Sequence, residues 1–342
     1  MKDRTILGID LAKHILQICT VSKHGEIISN KAASPDRLRE ILATSKPSIV
    51  AMEGCGACHY WGRFAEEFGH EVRIISPKRV KAFLQGQKTD ANDALAIAVA
   101  AVQFGMVFSR IKSVDQQTLQ TIETSRKLLS KGLIALGNHI RAFIYEYGIV
   151  SKKGRKSLNE IMISVIGDTD TKLPSCLKST LRVLWDRYKD TELQISTLEK
   201  TRNALVRQLE PCKRLTQLEG VGDVCAAKLY ASLGDGSGFK NGRAASVYIG
   251  LTPKQHSSGG KTHMMGVNKH GGDKELRAAL YQGALSVITR LPAEPKTAKQ
   301  AWLIALIQRT GIKKACIALA NKTVRTAWAL LSSGQDYKPV AI

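Results

Sequence analysis

The stretch that most limits how this chain can fold is KTDANDALAIAVAA, residues 88–101. Its alanine-rich body is strongly helical, and Asp90 and Asp93 stand three apart at its start, so both carboxylates fall on one face. Asp90 follows Thr89 and opens the helix, where a carboxylate satisfies free N–H groups and suits the helix dipole. An N-cap with a solvated first-turn acid is the plainer account of the pair. Two acids upstream argue for more. Asp10 ends the apolar run TILGID and Glu53 ends SIVAMEG, each where a strand stops, and Gly8 precedes Asp10. Two strand-end acids and a helical acid pair can converge on hard cations, which take oxygen ligands. That convergence is the central expectation.

The elements around these acids read as an α/β layer. Residues 4–32 give three short strands, with a turn signal at Lys23-His24-Gly25. Ser34-Pro35-Asp36 starts a short helix. SIVAMEG is a buried strand, residues 57–68 are helical, EVRIIS is a strand and Pro77 begins another short helix. The order βββαβαβα puts an antiparallel hairpin at the front of an α/β layer. With acids on the first strand, the fourth strand and the last helix, it resembles the RNase H and RuvC-like nuclease fold. In that fold the acids hold two Mg²⁺ ions about 4 Å apart, which clamp the oxygens of a phosphoryl transfer.

A competing motif lies beside Glu53. Cys55-Gly56-Ala57-Cys58-His59 matches both a c-type haem attachment site and a CxxC redox motif. No secretory signal or apolar surround accompanies it, and zinc would need a second ligand pair that the sequence lacks. Small residues opening the next helix are the better account. The start MKDRTILGID runs straight into a strand and does not read as a signal peptide. No apolar run approaches the ~20 residues of a membrane helix. An intracellular, cytoplasmic protein with reduced cysteines is expected.

Further on, Leu119, Ile122, Leu128, Leu129, Leu133, Leu136 and Ile140 recur at helical spacing. Residues 151–157, SKKGRKS, form a basic, flexible break, and a second long helix covers 176–210, ended by Pro211. Two such helices joined by a loop read as a hairpin or coiled-coil arm suited to self-association, or as an ordinary helical subdomain. LEGVG at 218–222, followed by an alanine-rich helix, reads as helix-hairpin-helix. There Gly220 and Gly222 would let backbone N–H groups approach a phosphate. A tight helix–helix turn is the alternative. Helices are expected around 273–290, 297–309 and 312–332, with Trp302 and Trp328 in the core.

Charge is distributed unevenly. The formal net charge is +22, and residues 211–342 hold 19 basic against 7 acidic side chains, a net +12. A polyanion is the natural partner, with nucleic acid favoured over an anionic membrane. Within this third, residues 250–272 read as a loop with six glycines, three histidines and three lysines, too cationic to be idle. Ser257 and Ser258 precede Gly259-Gly260, which frees the backbone to approach a substrate. Lys254, Lys261, Lys269 and Arg277 are available for phosphate, while His256, His263 and His270 lack metal-ligand spacing. A serine is a poor nucleophile unless its alkoxide is stabilised.

The pieces GIDLAK, AMEG, KTDANDA, LEGVG, GLTPKQHSSGG and NKHGGDKELRAAL run across nearly the whole chain. Together they resemble the DEDD transposases of bacterial insertion sequences, the large family numbered one hundred and ten. The resemblance implies an acidic tetrad of Asp10, Glu53, Asp90 and Asp93 binding Mg²⁺. It implies a nucleophilic serine at Ser258, with Ser257 as the fallback. It further implies an RNA-guided recombinase acting on donor and target DNA, in which a structured noncoding RNA reads sequence and a covalent phosphoserine–DNA intermediate stores the bond. It implies a homo-oligomer, dimer or tetramer, in which serine and tetrad act within one subunit or across two. AMEGCGACH departs from the family's usual wording, and NKHGG is one residue longer, leaving the roles of Lys269 and His270 open. The expected organisation is a RuvC-like domain over 1–110, a helical arm over 111–210 and a transposase domain over 211–342. A junction-resolving endonuclease using water, or a non-catalytic nucleic-acid-binding protein, are the rival readings.

Overall fold

In the computed structural model, which describes residues 4–167, 173–267 and 271–340, contacts divide the chain into a unit ending at Val114 and one beginning at Asp115. The first unit contains β1 (Ile6–Asp10), β2 (Leu16–Val21), β3 (Ile27–Ala33), α1 (Pro35–Thr44), β4 (Ile49–Glu53), α2 (Cys58–Glu67), β5 (Glu71–Ile75), α3 (Pro77–Val80) and α4 (Asp90–Ala101). Its sheet has the order β3-β2-β1-β4-β5. β1, β2 and β3 form an antiparallel meander, whereas β4 pairs parallel with both β1 and β5. This is the RNase H/RuvC-like mixed sheet expected from the element order.

Strand alternation divides the core between the two faces of the sheet. Leu7 and Ile9 of β1, with Val50 and Met52 of β4, pack under α1 and α2 against Leu38, Leu42 and Trp61. Ile6 and Ala51 face the other way, with Ala94, Ile97, Ala98 and Ala101 of α4. Gly8 lies on this second face, and there the approach is closest. A Cβ on Gly8 would come within 2.4 Å of the Ala94 carbonyl oxygen and 2.7 Å of the Ala98 Cβ. α4 therefore rests directly on bare strand backbone.

The second unit is helical apart from one hairpin. Its elements are α5 (Val114–Tyr145), α6 (Arg155–Gly167), α7 (Ser175–Gln208), α8 (Glu210–Thr216), α9 (Asp223–Leu233), α10 (Gly242–Ile249), β6 (Pro253–Ser258), β7 (Lys261–Val267), α11 (Lys274–Ile288), α12 (Ala298–Thr310) and α13 (Ile312–Ser333). Two local expectations are corrected. The basic break at 151–157 is only partly a break, because α6 begins at Arg155 and buries Leu158, Met162 and Val165 against α5 and α7. Pro211 does more than end α7. It stands in the first turn of α8, where its missing N–H is not needed. Trp328 packs against the core and donates its indole N–H to the Gly236 carbonyl at 2.9 Å. Among the described residues no helix is long and apolar enough to cross a membrane.

A buried ionic network ties four of these helices together. Glu123 of α5, only 6% exposed, accepts a hydrogen bond from Arg202 of α7 at 2.9 Å. Its second oxygen lies 3.3 Å from Lys228 of α9, which also reaches Glu275 of α11 at 3.3 Å. Lys127 of α5 pairs with the same Glu275. Burial alone would push the Glu123 carboxyl up, but the hydrogen bond from Arg202 and the charges of Arg126 and Lys228 outweigh it and hold it below the usual range.

Two stability outcomes follow from these packings. Gly8→Ala should cost about 2 kcal/mol, because helix backbone and the Ala98 Cβ stand in the way of the new methyl and α4 must shift; a urea midpoint unchanged from the parent would contradict the packing. Glu123→Ala should cost about 3–5 kcal/mol by stranding Arg202 and Lys228. Glu199→Ala, which removes a carboxylate 45% exposed and 3.6 Å from Arg126, should cost less than about 1 kcal/mol.

Candidate active site

Alternation carries Asp10 to the same face as Ile6 and Gly8, toward α4, and Glu53 to the same face as Ala51. One helical turn before the Ala94 contact with Gly8 comes Asp90. Two residues beyond Gly8 comes Asp10. A turn rises ~5.4 Å and two strand residues ~6.6 Å, so the close packing at Gly8 places these two carboxylates opposite one another. Asp10, Asp90 and Asp93 each offer an oxygen, and the three oxygens lie within 4.8 Å of one another. Glu53 is not in that trio. It ends the neighbouring parallel strand, ~4.8 Å to the side, and joins the cluster through its charge.

The electrostatics show the crowding. Burial raises the Asp10 carboxyl above its usual range, and the charges of Asp93 and Asp90 raise it further, with Lys88 opposing. Glu53 is raised by burial, then by Asp10 and Asp93, again with Lys88 opposing. Carboxylates that disfavour each other's ionisation while remaining partly open to solvent suit a hard divalent cation. The donor set fits such an ion: every ligand is an oxygen, and no thiol or imidazole belongs to the trio.

The helix is capped differently from the sequence reading. Thr89, not Asp90, is the N-cap, and its hydroxyl accepts from the Asn92 N–H. The Asp90 carboxylate is thereby released from capping. Three supporting polar residues were missed. Gln17, across from Asp10 on β2, donates to the Asn30 side-chain Oδ1 at 2.7 Å, and the Asn30 Nδ2 donates to the Ala91 main-chain carbonyl at 2.8 Å. Asn92 braces the approach to α4 by donating to the Gln87 carbonyl at 2.7 Å. The signal for Gln17 and Asn30 is an amide within each of the strands LQICTV and IISNKAA, and Asn92 stands in the first turn of α4. Lys88 was read only as the first letter of its motif.

The cysteine motif takes the plainer role. Ala57 adopts a left-handed φ of 66°, and α2 begins at Cys58. Burial pushes the Cys55 thiol up to about 11 and raises Cys58, which keeps both protonated and unreactive near neutral pH.

In the second unit, the segment read as a loop is a β-hairpin. β6 and β7 pair with Ser258 opposite Lys261, Ser257 opposite Thr262 and His256 opposite His263. Gly259 and Gly260 form the two-residue connection with φ of 54° and 76°. Positive φ at both positions is the signature of a type I′ turn, and Gly-Gly was its legible signal. Ser257 and Ser258 point to opposite faces. The Ser257 hydroxyl accepts from the Gln255 amide at 3.1 Å and lies 3.4 Å from the Thr262 hydroxyl. Ser258 shares its face with Lys261, His256 and His263. Lys254 is exposed on β6, and Lys269 and His270 lie outside the described residues.

Arg277 is placed otherwise than expected. Rather than standing free for a phosphate, its Nη1 donates to the Ile249 carbonyl at 3.0 Å and to the Gly271 carbonyl, clamping the two legs of the hairpin at their root. α8 and α9 form the helix-hairpin-helix around Gly220 and Gly222. Gly220, with φ of 79°, faces Gly283 of α11, and a Cβ there would meet the Gly283 carbonyl oxygen at 2.6 Å. Packing alone accounts for Gly220. Gly222 caps α9 with open space where a Cβ would be, beside a cleft also lined by Ser286, Arg290 and Gln300.

Residues 212–300 match the family described as "Transposase IS116/IS110/IS902 family", and residues 7–149 match a family described as "Transposase". A "Probable family 20 transposase" of Pseudomonas aeruginosa is 36% identical over 97% of this chain and 98% of its own length. The "Transposase for insertion sequence element IS1111A" of Coxiella burnetii is 36% identical over 99% of this chain and 92% of its own. A "Pilin gene-inverting protein" of Moraxella bovis is 24% identical over 98% of both. Among solved structures, a T. thermophilus RuvC in complex with a Holliday junction substrate shares 19% identity over 28% of this chain and 90% of its own, at a TM-score of 0.22, a likeness too slight to bear on function. With full-length relatives above 30% identity and both transposase families matched along its sequence, this chain belongs to the IS116/IS110/IS902 family of transposases.

Proposed function

We propose that this transposase cuts and rejoins DNA through the hydroxyl of Ser258, with Mg²⁺ held by Asp10, Glu53, Asp90 and Asp93. The observation that carries the reading is the convergence of Asp10, Asp90 and Asp93 to within 4.8 Å at the end of a strand. When bound, the cation supplies a Lewis acid for the scissile phosphate. Ser258 Oγ attacks phosphorus, a P–O bond to serine forms, and the bond to the leaving deoxyribose oxygen breaks. One phosphodiester is exchanged for another, so the bond is kept for religation without ATP.

Support for a nucleic-acid partner comes from charge and shape. The +12 balance of residues 211–342 suits phosphate, and an exposed hairpin bearing Lys254 and Lys261 suits a polyanionic surface. Gly222 at the start of α9, with Arg290 in the same cleft, suits a backbone phosphate. Donor and target DNA are the substrates, and a structured noncoding RNA provides sequence choice by base pairing while the protein reads backbone. Leu128 and Ile134 on α5 and Val183 and Leu193 on α7 are 64–71% exposed, which favours burial against further copies of the chain in a dimer or tetramer. Residues 1–110, 111–210 and 211–342 act respectively as catalytic domain, self-association arm and transposase domain.

Divalent ion should raise the melting temperature of the unaltered protein by a few degrees and leave Asp10→Asn unmoved; equal shifts in both would sink the metal assignment. Because the Asp10 and Glu53 pKa values are raised, their ionisation costs stability as pH rises through the folded values. Without metal, Asp10→Asn should therefore melt higher than the parent at pH 7–8. The gap should close as pH falls and the parent's carboxyl protonates.

The nucleophile is tested on denaturing gels with element-end DNA, RNA transcribed from the element's noncoding flank, and Mg²⁺. A protein–DNA adduct should form with the parent and with Ser257→Ala and vanish with Ser258→Ala. Cleavage without an adduct, undiminished in Ser258→Ala, would mean that water is the nucleophile.

A further inference from the structure

The hairpin of β6 and β7 carries two imidazoles for which the reading above has no use. His256 and His263 are direct cross-strand partners, and strand alternation sets them on the same face as Ser258 and its partner Lys261. The opposite face is occupied differently. There Gln255, Ser257 and Thr262 hydrogen-bond among themselves, which engages the Ser257 hydroxyl and leaves Ser258 alone among titratable side chains. All residues from 253 to 266 are exposed, so among the described residues no other element covers the Ser258 face. Ser258, Lys261, His256 and His263 are the groups facing one another on it, with Lys254 in the bulge beside them.

Resting on the assignment of Ser258 as nucleophile, we propose that the His256–His263 pair is the proton acceptor for that serine. A serine hydroxyl needs a base to attack phosphorus, and imidazole is the side chain whose ordinary pKa suits that role near neutral pH. Same-face neighbours across and diagonal on a hairpin lie within reach of ring side chains, directly or through one water. In the forward step the Ser258 proton passes to a neutral imidazole of the pair, Oγ bonds to phosphorus, and the leaving deoxyribose oxygen departs with a proton from solvent. In religation the attacking deoxyribose hydroxyl gives its proton to solvent, and the imidazolium returns a proton to Ser258 Oγ as its bond to phosphorus breaks. Lys261 contributes a fixed positive charge beside the phosphate at both stages. The type I′ turn keeps this constellation in register, because slipping one strand by one residue would put the two histidines on opposite faces of the hairpin.

The test uses the full chain and the adduct assay described above, with His256→Gln, His263→Gln and the double variant. The double variant should form adduct at least ~100-fold more slowly than the parent. The parent's rate should fall on the acid side of neutrality, where an imidazole base is lost to protonation, and the double variant should lack that limb. Added free imidazole should restore part of the lost rate. Binding of the same DNA and RNA, read by fluorescence anisotropy in Mg²⁺, should stay within about 3-fold of the parent, as should the divalent-dependent melting shift, since neither depends on proton transfer. A double variant that forms adduct at the parental rate overturns the proposal. So does one whose loss of rate is matched by loss of binding, with the acid limb intact, because the histidines are then phosphate contacts. A parent protein that forms no adduct at all overturns the serine assignment first, and this proposal with it.

Discussion

The first unit depends on a missing side chain. With no Cβ at Gly8, α4 lies against β1 at a distance that any other residue would forbid. The alanines of α4 continue that intimacy along the strand. Strand and helix are thereby fixed in both separation and register, and the register decides which carboxylates meet. Asp10 leaves the sheet just past the contact and Asp90 opens the helix just before it. Hydrophobic burial of Ile6, Ile97 and Ala98 offsets the cost of holding like charges together at the edge. Amides rather than charges finish the support, through Gln17, Asn30 and the Ala91 carbonyl.

The helical unit solves a different problem. Long helices bury only part of their surface against one another, so α5, α7, α9 and α11 are also joined by Glu123, Arg202, Lys228 and Glu275. Buried charges specify geometry at a cost, because each needs its partner in place. Beyond that core the hairpin stands almost unsupported. Arg277 pins its root, two glycines close its tip, and everything between faces solvent. A two-stranded ribbon has little independent stability. Its order here comes from the clamp and the turn.

Much of this was written openly in the sequence. The strands, their terminal acids and the helix at Asp90 followed from apolar periodicity and from where it stopped. The RuvC-like order then followed from their succession. Chemistry carried by exposed polar residues was harder to read. The segment around Ser258 has no apolar alternation, so its strands give no period-two signal, and Gly259-Gly260, read as freeing the backbone for a substrate, is the turn of a hairpin. Arg277 was counted as free cation because sequence does not display carbonyls, which only the fold brings to it. α6 was hidden by the basic run before it. Strand position alone groups Glu53 with the other acids, but the lateral step between strands keeps it out of the trio of Asp10, Asp90 and Asp93.

The siting of the acids outside the packed interior has a consequence for how such a protein ages in a genome. Asp10 and Glu53 are penalised by burial and by their neighbours when charged, so replacing one with a neutral residue relieves the fold. Given the roles proposed above for these acids, loss of the chemistry then meets no structural resistance. A copy of the gene can fall silent by one nucleotide change and still yield a sturdy, strongly basic polypeptide. On the reading proposed above, such a relic keeps the +12 balance of residues 211–342 and would compete with active copies for the same DNA, so inactive copies would restrain the element.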